Sequence, residues 1–422
     1  MPTTNSLALP IVNGKRSRTV KFQTLGCKVN QYETQSIRER FLKHGFREVF
    51  VKKHSDICLI NTCTVTAVAD QKSRSIISRC INENPNALVI VTGCMVKNDS
   101  QALARIKGVD LIISKSFFAD DGVSSFCGHT RAFLKIQDGC NNFCSYCKVP
   151  LVRGASRSKP LLEVVREALA LAKNGFQEIV LTGICLGSYG KDLLACQSLV
   201  DVLKAMEKIS GISRIRLSSI EAGDITDGLI NYMASSKKLC RHLHIPIQSG
   251  DDAILNKMKR RYTRRYYLKL IKRIKDKIPG ISITTDCLVG FPGETEDNFQ
   301  NTLKLLNQIK PLKTHIFPYS NREGTFASKD LRQLLNPAVI RTRISKLKKA
   351  ADKAATLYKT KYLGKKMDVL FEGLAKDRVG YWEGYTDNYI RVMHQSGRVL
   401  KNRLLTLRLA SICQDYMVAK KG

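Results

Sequence analysis

Cys140, Cys144 and Cys147 stand in the pattern C-x3-C-x2-C within the segment QDGCNNFCSYCKVP. Thiolates this close on one loop can each hold one iron of a 4Fe-4S cubane and leave the fourth iron without a protein ligand. An open iron can take the amino and carboxylate groups of a small molecule, which makes the loop a candidate catalytic centre as well as a metal site. The competing reading is a structural zinc loop. Such sites are closed by four ligands, and no neighbouring Cys or His offers the fourth.

A second set is dispersed along the chain: Cys27, Cys63 and Cys94, in TLGC, INTC and VTGC. Each directly follows a strand-like run, and neighbouring parallel strands bring such ends to one edge of a sheet, so these three are candidate ligands of a second 4Fe-4S cluster. Any one of them alone reads better as a small buried residue. The same placement three times favours a metal site. Cys58, Cys80, Cys127, Cys185, Cys196, Cys240, Cys287 and Cys413 share no such position and read as structural.

The elements that must position these thiols alternate strand and helix. Runs at 21–26, 56–62 and 87–93 read as strands, with amphipathic helical patterns between them, which predicts an open parallel α/β domain over 20–118. Residues 1–19 read as a flexible lead-in and 119–130 as a linker. From Phe133 the alternation restarts as FLKIQ, EIVLTG, RIRLSS, HLHIPI, ITTDCLVG and THIFPYS. Six strand–helix units fit a partial (βα) barrel over 131–357, including a trailing basic helix, with a doubly wound sheet as the alternative. Residues 358–422 carry short β-prone pieces between Gly, Asp and Asn, as expected of a small antiparallel β-barrel. The fold class is therefore α/β with an appended all-β module.

Ligands of parallel α/β folds bind beyond the carboxyl ends of the strands. Candidate cofactor contacts at those ends are Gly183 in LTGICLGSYG, Glu221 in RLSSIEAGD and Gln248 in HIPIQSG. Turn chemistry explains Gly183 and Ser249 equally well.

The 422 residues carry 70 Lys and Arg against 36 Asp and Glu, a net charge of +34 that suggests a polyanionic partner such as RNA. No apolar run reaches the roughly 20 residues of a membrane helix, and no secretory signal is evident, so a cytoplasmic protein without membrane association is expected. In a reducing compartment the fourteen cysteines point to metal ligation before disulfides.

With these residues in place, the chain from about residue 20 resembles the radical S-adenosylmethionine methylthiotransferase family. TLGCKVNQYET, INTCTVT, TGC, GCNNFCSYC, LSSIE, HIPIQSG, GFPGET and FPYS are similar to its motifs and follow in the same order. The resemblance implies that S-adenosylmethionine binds at the Cys140 loop with Tyr146 near its adenine, and that the Cys27 set takes part in sulfur delivery. It implies an electron donor and a sulfur source outside the chain, and a terminal barrel of the RNA-binding TRAM type. Lys28 to Thr34 resemble the branch acting on N6-threonylcarbamoyladenosine at position 37 of tRNA. Relatives acting on isopentenyladenosine or on a ribosomal protein are the alternatives, and a noncatalytic zinc-containing RNA-binding protein is the rival of another class. Tyr381, Trp382, Tyr385 and Tyr389 are available for base stacking, against a reading as barrel core. Two departures from the family pattern are Cys185, where relatives often have Asn or His, and NREGT at 321–325, which lacks prolines.

Replacing Cys140 and Cys144 together by Ala is expected to abolish turnover while tRNA binding, followed by fluorescence anisotropy, persists. A double variant that still turns over would refute the assignment of that loop.

Overall fold

The structure is a computed structural model describing the chain apart from residues 1–10, 13–14, 17–18, 51–53, 119–120, 195–196, 330–333 and 422. It divides into two compact units, Met1–Val123 with Leu151–Gly154, and Ser124–Pro150 with Ala155–Gly422. Within the expected lead-in, Ile11–Val12 pairs antiparallel with Lys15–Arg16, and Thr19 already opens a strand of the main sheet. The rest of 1–18, residues 119–120 of the linker, and Cys196 lie outside the described residues.

The first unit is a five-stranded parallel sheet in the order Arg47–Glu48, Thr19–Thr24, Ile57–Thr62, Leu88–Gly93, Leu111–Ile112. Its central strand is buried throughout, and alternation decides which side each residue serves. Ile57 and Leu59 pack with Ile37 and Phe41 of the helix Lys28–Lys43. Cys58 and Ile60 pack with Ile77 and Cys80 of the helix Ala67–Glu83 on the other face. Each fully buried Ile or Leu contributes about 1.5–3 kcal/mol. Cys58 and Cys80 are core residues, as the sequence reading has them.

In the second unit, Arg131–Lys135, Glu178–Thr182 and Arg214–Leu217 form one parallel sheet, and His242–His244, Ser282–Val289 and Lys313–Pro318 another. Parallel bridges Ile215 to Leu239 and Ser219 to His244 join them, so six parallel strands run in chain order around a partial barrel. Helices cover the outside; Arg264–Lys277 opens on Thr263, whose hydroxyl accepts from the Tyr266 N–H, and Glu296–Ile309 opens on a Thr295/Asn298 capping box. The basic helix runs Pro337–Thr360 and buries Leu347, Ala351, Ala354 and Tyr358 at helical spacing.

The last five strands, from Lys366–Leu374 to Tyr416–Lys420, close into a barrel. Four of its pairings are antiparallel; Arg391–Gln395 and Tyr416–Lys420 pair in parallel, a refinement of the all-antiparallel expectation. This barrel packs on the amino ends of the partial-barrel strands through buried charge. Arg214 donates to the carbonyls of Tyr385 (2.9 Å) and Asp368 (2.7 Å), and Arg216 to those of Asp387 (2.8 Å) and Thr386 (3.1 Å). Behind them Glu178 is fully buried, bonded to Arg216 Nε at 2.6 Å with Arg131 and Arg214 each 3.8 Å away. Arg131 also pairs with Glu372 and lies 4.9 Å from the Tyr385 ring. Among the described residues no helix is long and apolar enough to cross a membrane.

Burial alone would raise the Glu178 pKa, but Arg216, Arg131 and Arg214 outweigh it and hold the carboxyl below its ordinary value. The stabilisation this gives is present above the unfolded pKa of about 4.3 and is lost as pH falls through the lower folded value. Glu178→Gln leaves three buried guanidiniums short of their counter-ion. It is expected to destabilise the second unit by about 3–5 kcal/mol in chemical denaturation at pH 7, with the difference from the parent shrinking in acid.

Candidate active site

After the first barrel strand ends at Lys135, Gln137–Asp138 pairs briefly with Arg157–Ser158, and the C-x3-C-x2-C loop begins two residues later at Cys140. The loop is tied down by backbone and hydroxyl bonds: Ser145 N–H donates to Met258 O at 3.0 Å and its hydroxyl to Lys257 O at 2.7 Å. Asn142 N–H donates to Cys140 Sγ at 3.5 Å, and its side-chain amide to Cys185 Sγ at the same distance. Arg260 donates to Cys144 Sγ at 3.4 Å and to Glu221 Oε2 at 2.5 Å. Burial pushes the Cys147 thiol up to about 12 and raises Cys144 against the pull of Arg260. Cys140 is lowered, chiefly by a hydrogen bond from the Cys185 thiol.

The other sequence candidates gather around this loop. Tyr146 sets its ring edge-on to Phe291 at 6.3 Å and packs against the cluster of Ile254, Met258, Leu288, Phe291 and Ala327. Glu221 is held by Arg260, and burial keeps its carboxyl above the ordinary value. At Gly183 a Cβ would stand 2.9 Å from Gln137 Oε1, the atom that accepts the Cys185 N–H at 2.8 Å, so the turn needs a residue without a side chain. Gln248 takes a left-handed φ of +59° and bridges to the strand of Asp286 and Leu288 through its N–H and carbonyl, both at 2.8 Å. Ser249 is fully buried and accepts from Asp251 N–H, a structural role. Sequence reasoning missed Asn142 within the loop, Gln137 on the short strand just before it, and Arg260, which reaches it from beyond the helix Asp252–Lys257.

In the first unit the three dispersed thiols stand at neighbouring strand ends. Cys27 caps the helix Lys28–Lys43, Cys63 follows Thr62, and Cys94 follows Gly93, with Thr62 and Gly93 paired in register. Gly26 lies so close to Cys63 that a Cβ there would meet its Sγ at 2.9 Å. Burial raises the Cys63 thiol, with Cys94 and Cys27 adding to the shift. Cations surround the group: Lys115 Nζ is 3.5 Å from Cys94 Sγ and 2.7 Å from Glu33, and Arg153 bonds Glu33 at 3.0 Å and also Asn30. Asn30 is fully buried and donates to Leu25 O and Thr62 O, and Tyr32 is fully buried too. The Lys28 to Thr34 segment thus builds the seat of these thiols. Lys115 and Arg153 gave no signal in the sequence.

Among the described residues, one trio of His, Cys or carboxylate side chains brings its ligand atoms within 4.8 Å of one another, and it is His244, Asp286 and His315. Both cysteine trios are spread wider than that.

The aromatic candidates of the terminal barrel are used within the protein. Trp382 sits in the barrel core. Tyr385 and Tyr389 stack at 5.0 Å, and Tyr389 stacks on His242 at 4.5 Å, beneath Arg216. Tyr381 carries the guanidinium of Arg378 at 3.8 Å.

Residues 134–306 match the model of the radical SAM superfamily, and 19–114 match one described as uncharacterized protein family UPF0004. The threonylcarbamoyladenosine tRNA methylthiotransferase MtaB of Bacillus subtilis is 36% identical, over 92% of this chain and 94% of its own. A tRNA-2-methylthio-N(6)-dimethylallyladenosine synthase of Clostridium tetani is 34% identical, over 91% of this chain and 92% of its own. The radical S-adenosylmethionine methyltransferase TsrM of Kitasatospora setae superposes with a TM-score of 0.54 over 74% of this chain and 77% of that chain at 14% identity, a likeness of fold alone. Relatives this similar along almost their whole length, with the superfamily match spanning the cysteine loop and most of the six-stranded barrel, place the chain in the methylthiotransferase family of radical S-adenosylmethionine enzymes, which work with an iron–sulfur cluster and S-adenosylmethionine.

Proposed function

We propose that the enzyme adds a 2-methylthio group to N6-threonylcarbamoyladenosine at position 37 of tRNA, in the cytoplasm, with electrons and sulfur supplied from outside the chain. The observation that carries the substrate is the similarity to methylthiotransferases named for threonylcarbamoyladenosine, at 36% identity for the Bacillus subtilis relative. Cys140, Cys144 and Cys147 would hold one 4Fe-4S cluster, and Cys27, Cys63 and Cys94 a second. Thiolates on one zinc ion, at about 2.3 Å each, stand only about 3.8 Å apart. The wider spread of both trios supports a cubane, where each thiolate has its own iron.

Bound at the Cys140 loop, the cluster and S-adenosylmethionine supply the one-electron chemistry that a carbon–hydrogen bond of an adenine ring requires. The chain's own residues do the rest. Asn142 N–H and Arg260 donate to the ligand sulfurs and offset their negative charge. Glu221, Gly183, Gln248 and Tyr146 line the carboxyl ends where the cofactor would lie, Tyr146 offering its face to an adenine. In the first unit Lys115 donates to Cys94 as Arg260 does to Cys144, and Arg153 adds a positive charge beside Cys63. For the RNA, Arg341, Lys346, Lys348, Lys349 and Lys353 are exposed along the helix Pro337–Thr360 and would meet phosphates.

Two measurements test this reading. Nucleosides from cells lacking the gene are expected to lose 2-methylthio-N6-threonylcarbamoyladenosine and accumulate its precursor in mass spectrometry; loss of the dimethylallyl product instead would reassign the substrate. Cys63→Ala, purified anaerobically, is expected to carry about four irons per chain where the parent carries about eight. It should still release 5′-deoxyadenosine from S-adenosylmethionine while forming no methylthio product.

A further inference from the structure

One short segment after the helix Asp252–Lys257 both clamps the cysteine loop and charges it. The carbonyls of Lys257 and Met258 accept from the Ser145 hydroxyl at 2.7 Å and its N–H at 3.0 Å, and Arg261 donates to Asn141 O at 3.1 Å. Between them Lys259 turns left-handed, with φ +56°, and the Arg260 N–H closes back on Leu255 O at 2.9 Å. The three cations in a row reach three different groups. Lys259 lies over the Phe326 ring at 3.5 Å, Arg261 holds the loop backbone, and Arg260 donates to a sulfur, Cys144 Sγ at 3.4 Å.

Other partners fix the Arg260 guanidinium in place. It donates to Glu221 Oε2 at 2.5 Å, and Nε and a terminal nitrogen both stand 3.3 Å from the Tyr262 hydroxyl. That hydroxyl is itself anchored within 3.0 Å of the carbonyls of Pro246 and Ile247. Only 6% of the Arg260 side chain and 16% of that of Glu221 are exposed. Charges withdrawn from water in this way are weakly screened, so they act strongly on a charge that changes a few ångströms away. A 4Fe-4S cluster gains one negative charge on reduction, and its potential follows the hydrogen bonds to its sulfurs and the charges around it.

Resting on the cluster reading above, we propose that Arg260 sets the reduction potential of the cluster held by Cys140, Cys144 and Cys147, raising it through its charge and its hydrogen bond to Cys144. Glu221 is the counterweight: it orients the guanidinium against the sulfur and lowers the potential by its own charge. Together the pair fixes how readily the cluster accepts the one electron that its chemistry uses. Arg260 is a positioning residue that acts through the cluster and needs no contact with substrate.

The test is a reductive titration followed by electron paramagnetic resonance, without S-adenosylmethionine, in the anaerobically purified Cys63→Ala enzyme, where the reading above leaves only the barrel cluster. Adding Arg260→Gln, which keeps a donor but no charge, is expected to lower the reduced-to-oxidised ratio at a fixed potential about tenfold, a shift of about 59 mV to more negative values for one electron. Arg260→Lys, which keeps the charge, should shift it less. Glu221→Gln should shift it the other way. Opposite signs at two residues in contact do not arise from a general loosening of the loop. Should Arg260→Gln hold fewer than about four irons per chain, the sign of the Glu221→Gln shift decides alone. An unchanged potential in Arg260→Gln, or one that fails to rise in Glu221→Gln, would overturn the inference and leave the cluster reading intact. A Cys63→Ala enzyme without iron or a reducible signal would overturn the cluster reading and this inference with it.

Discussion

Everything this protein does with its thiols depends on parallel strand pairing. Parallel neighbours end on the same edge of a sheet, so residues directly after successive strands converge although dozens of residues separate them. In the first unit the pairing of Thr24 with Asn61 and of Thr62 with Gly93 levels the exits that carry Cys27, Cys63 and Cys94. In the second unit the same rule gathers the cysteine loop, Gly183, Glu221 and Gln248 at the carboxyl ends of strands from both halves of the barrel. A one-residue slip in any pairing would invert the alternation that buries Leu59 on one face and Ile60 on the other, so the hydrophobic core enforces the register that the site needs.

Convergence of thiols creates an electrostatic cost that the surroundings meet. Burial raises Cys63, Cys144 and Cys147, which as free thiols resist ionising. Each trio has its own cationic neighbours. Arg260 is itself held by Glu221 and Tyr262, and Lys115 and Arg153 converge on Glu33. These acids keep the cations oriented, though the Glu221 charge also pushes Cys140 and Cys144 upward. Cys185 is the exception to the pattern, a further thiol bonded to Ser188 at 3.1 Å and Asp224 at 3.4 Å, with Cys140 beside it. A thiol there can donate to Cys140, and that bond is the chief cause of the lowered Cys140 thiol.

Much of the architecture was legible in the sequence because it rests on local signals. The strand before Cys63 opens on the apolar run ICLI, helix Glu296–Ile309 carries apolar residues at helical spacing, and C-x3-C-x2-C is a contiguous motif. What stayed hidden is pairwise and long-range. Arg131, Glu178, Arg214 and Arg216 look like ordinary strand-edge charges, yet they are the joint on which the terminal barrel sits, and no one of them signals that until its partners are known. Tyr385 and Tyr389 read as either stacking platforms or barrel core for the same reason, and the parallel pairing that helps to close the barrel has no sequence mark. Lys115 and Arg153 lie outside every motif, and geometry alone brings them to the thiols.

The two ends of the partial barrel divide labour by polarity. The amino ends are locked: Glu178 is encircled by three guanidiniums, of which Arg214 and Arg216 also donate to carbonyls of the terminal barrel and Arg131 pairs with its Glu372, which leaves little freedom for the two barrels to move apart without exposing several unmet charges. The carboxyl ends hold the cysteine loop together with Gly183, Glu221 and Gln248, at the opposite end of the strands from that joint. A base fixed by buried charge keeps the strand ends in place while a large substrate meets the loop above them.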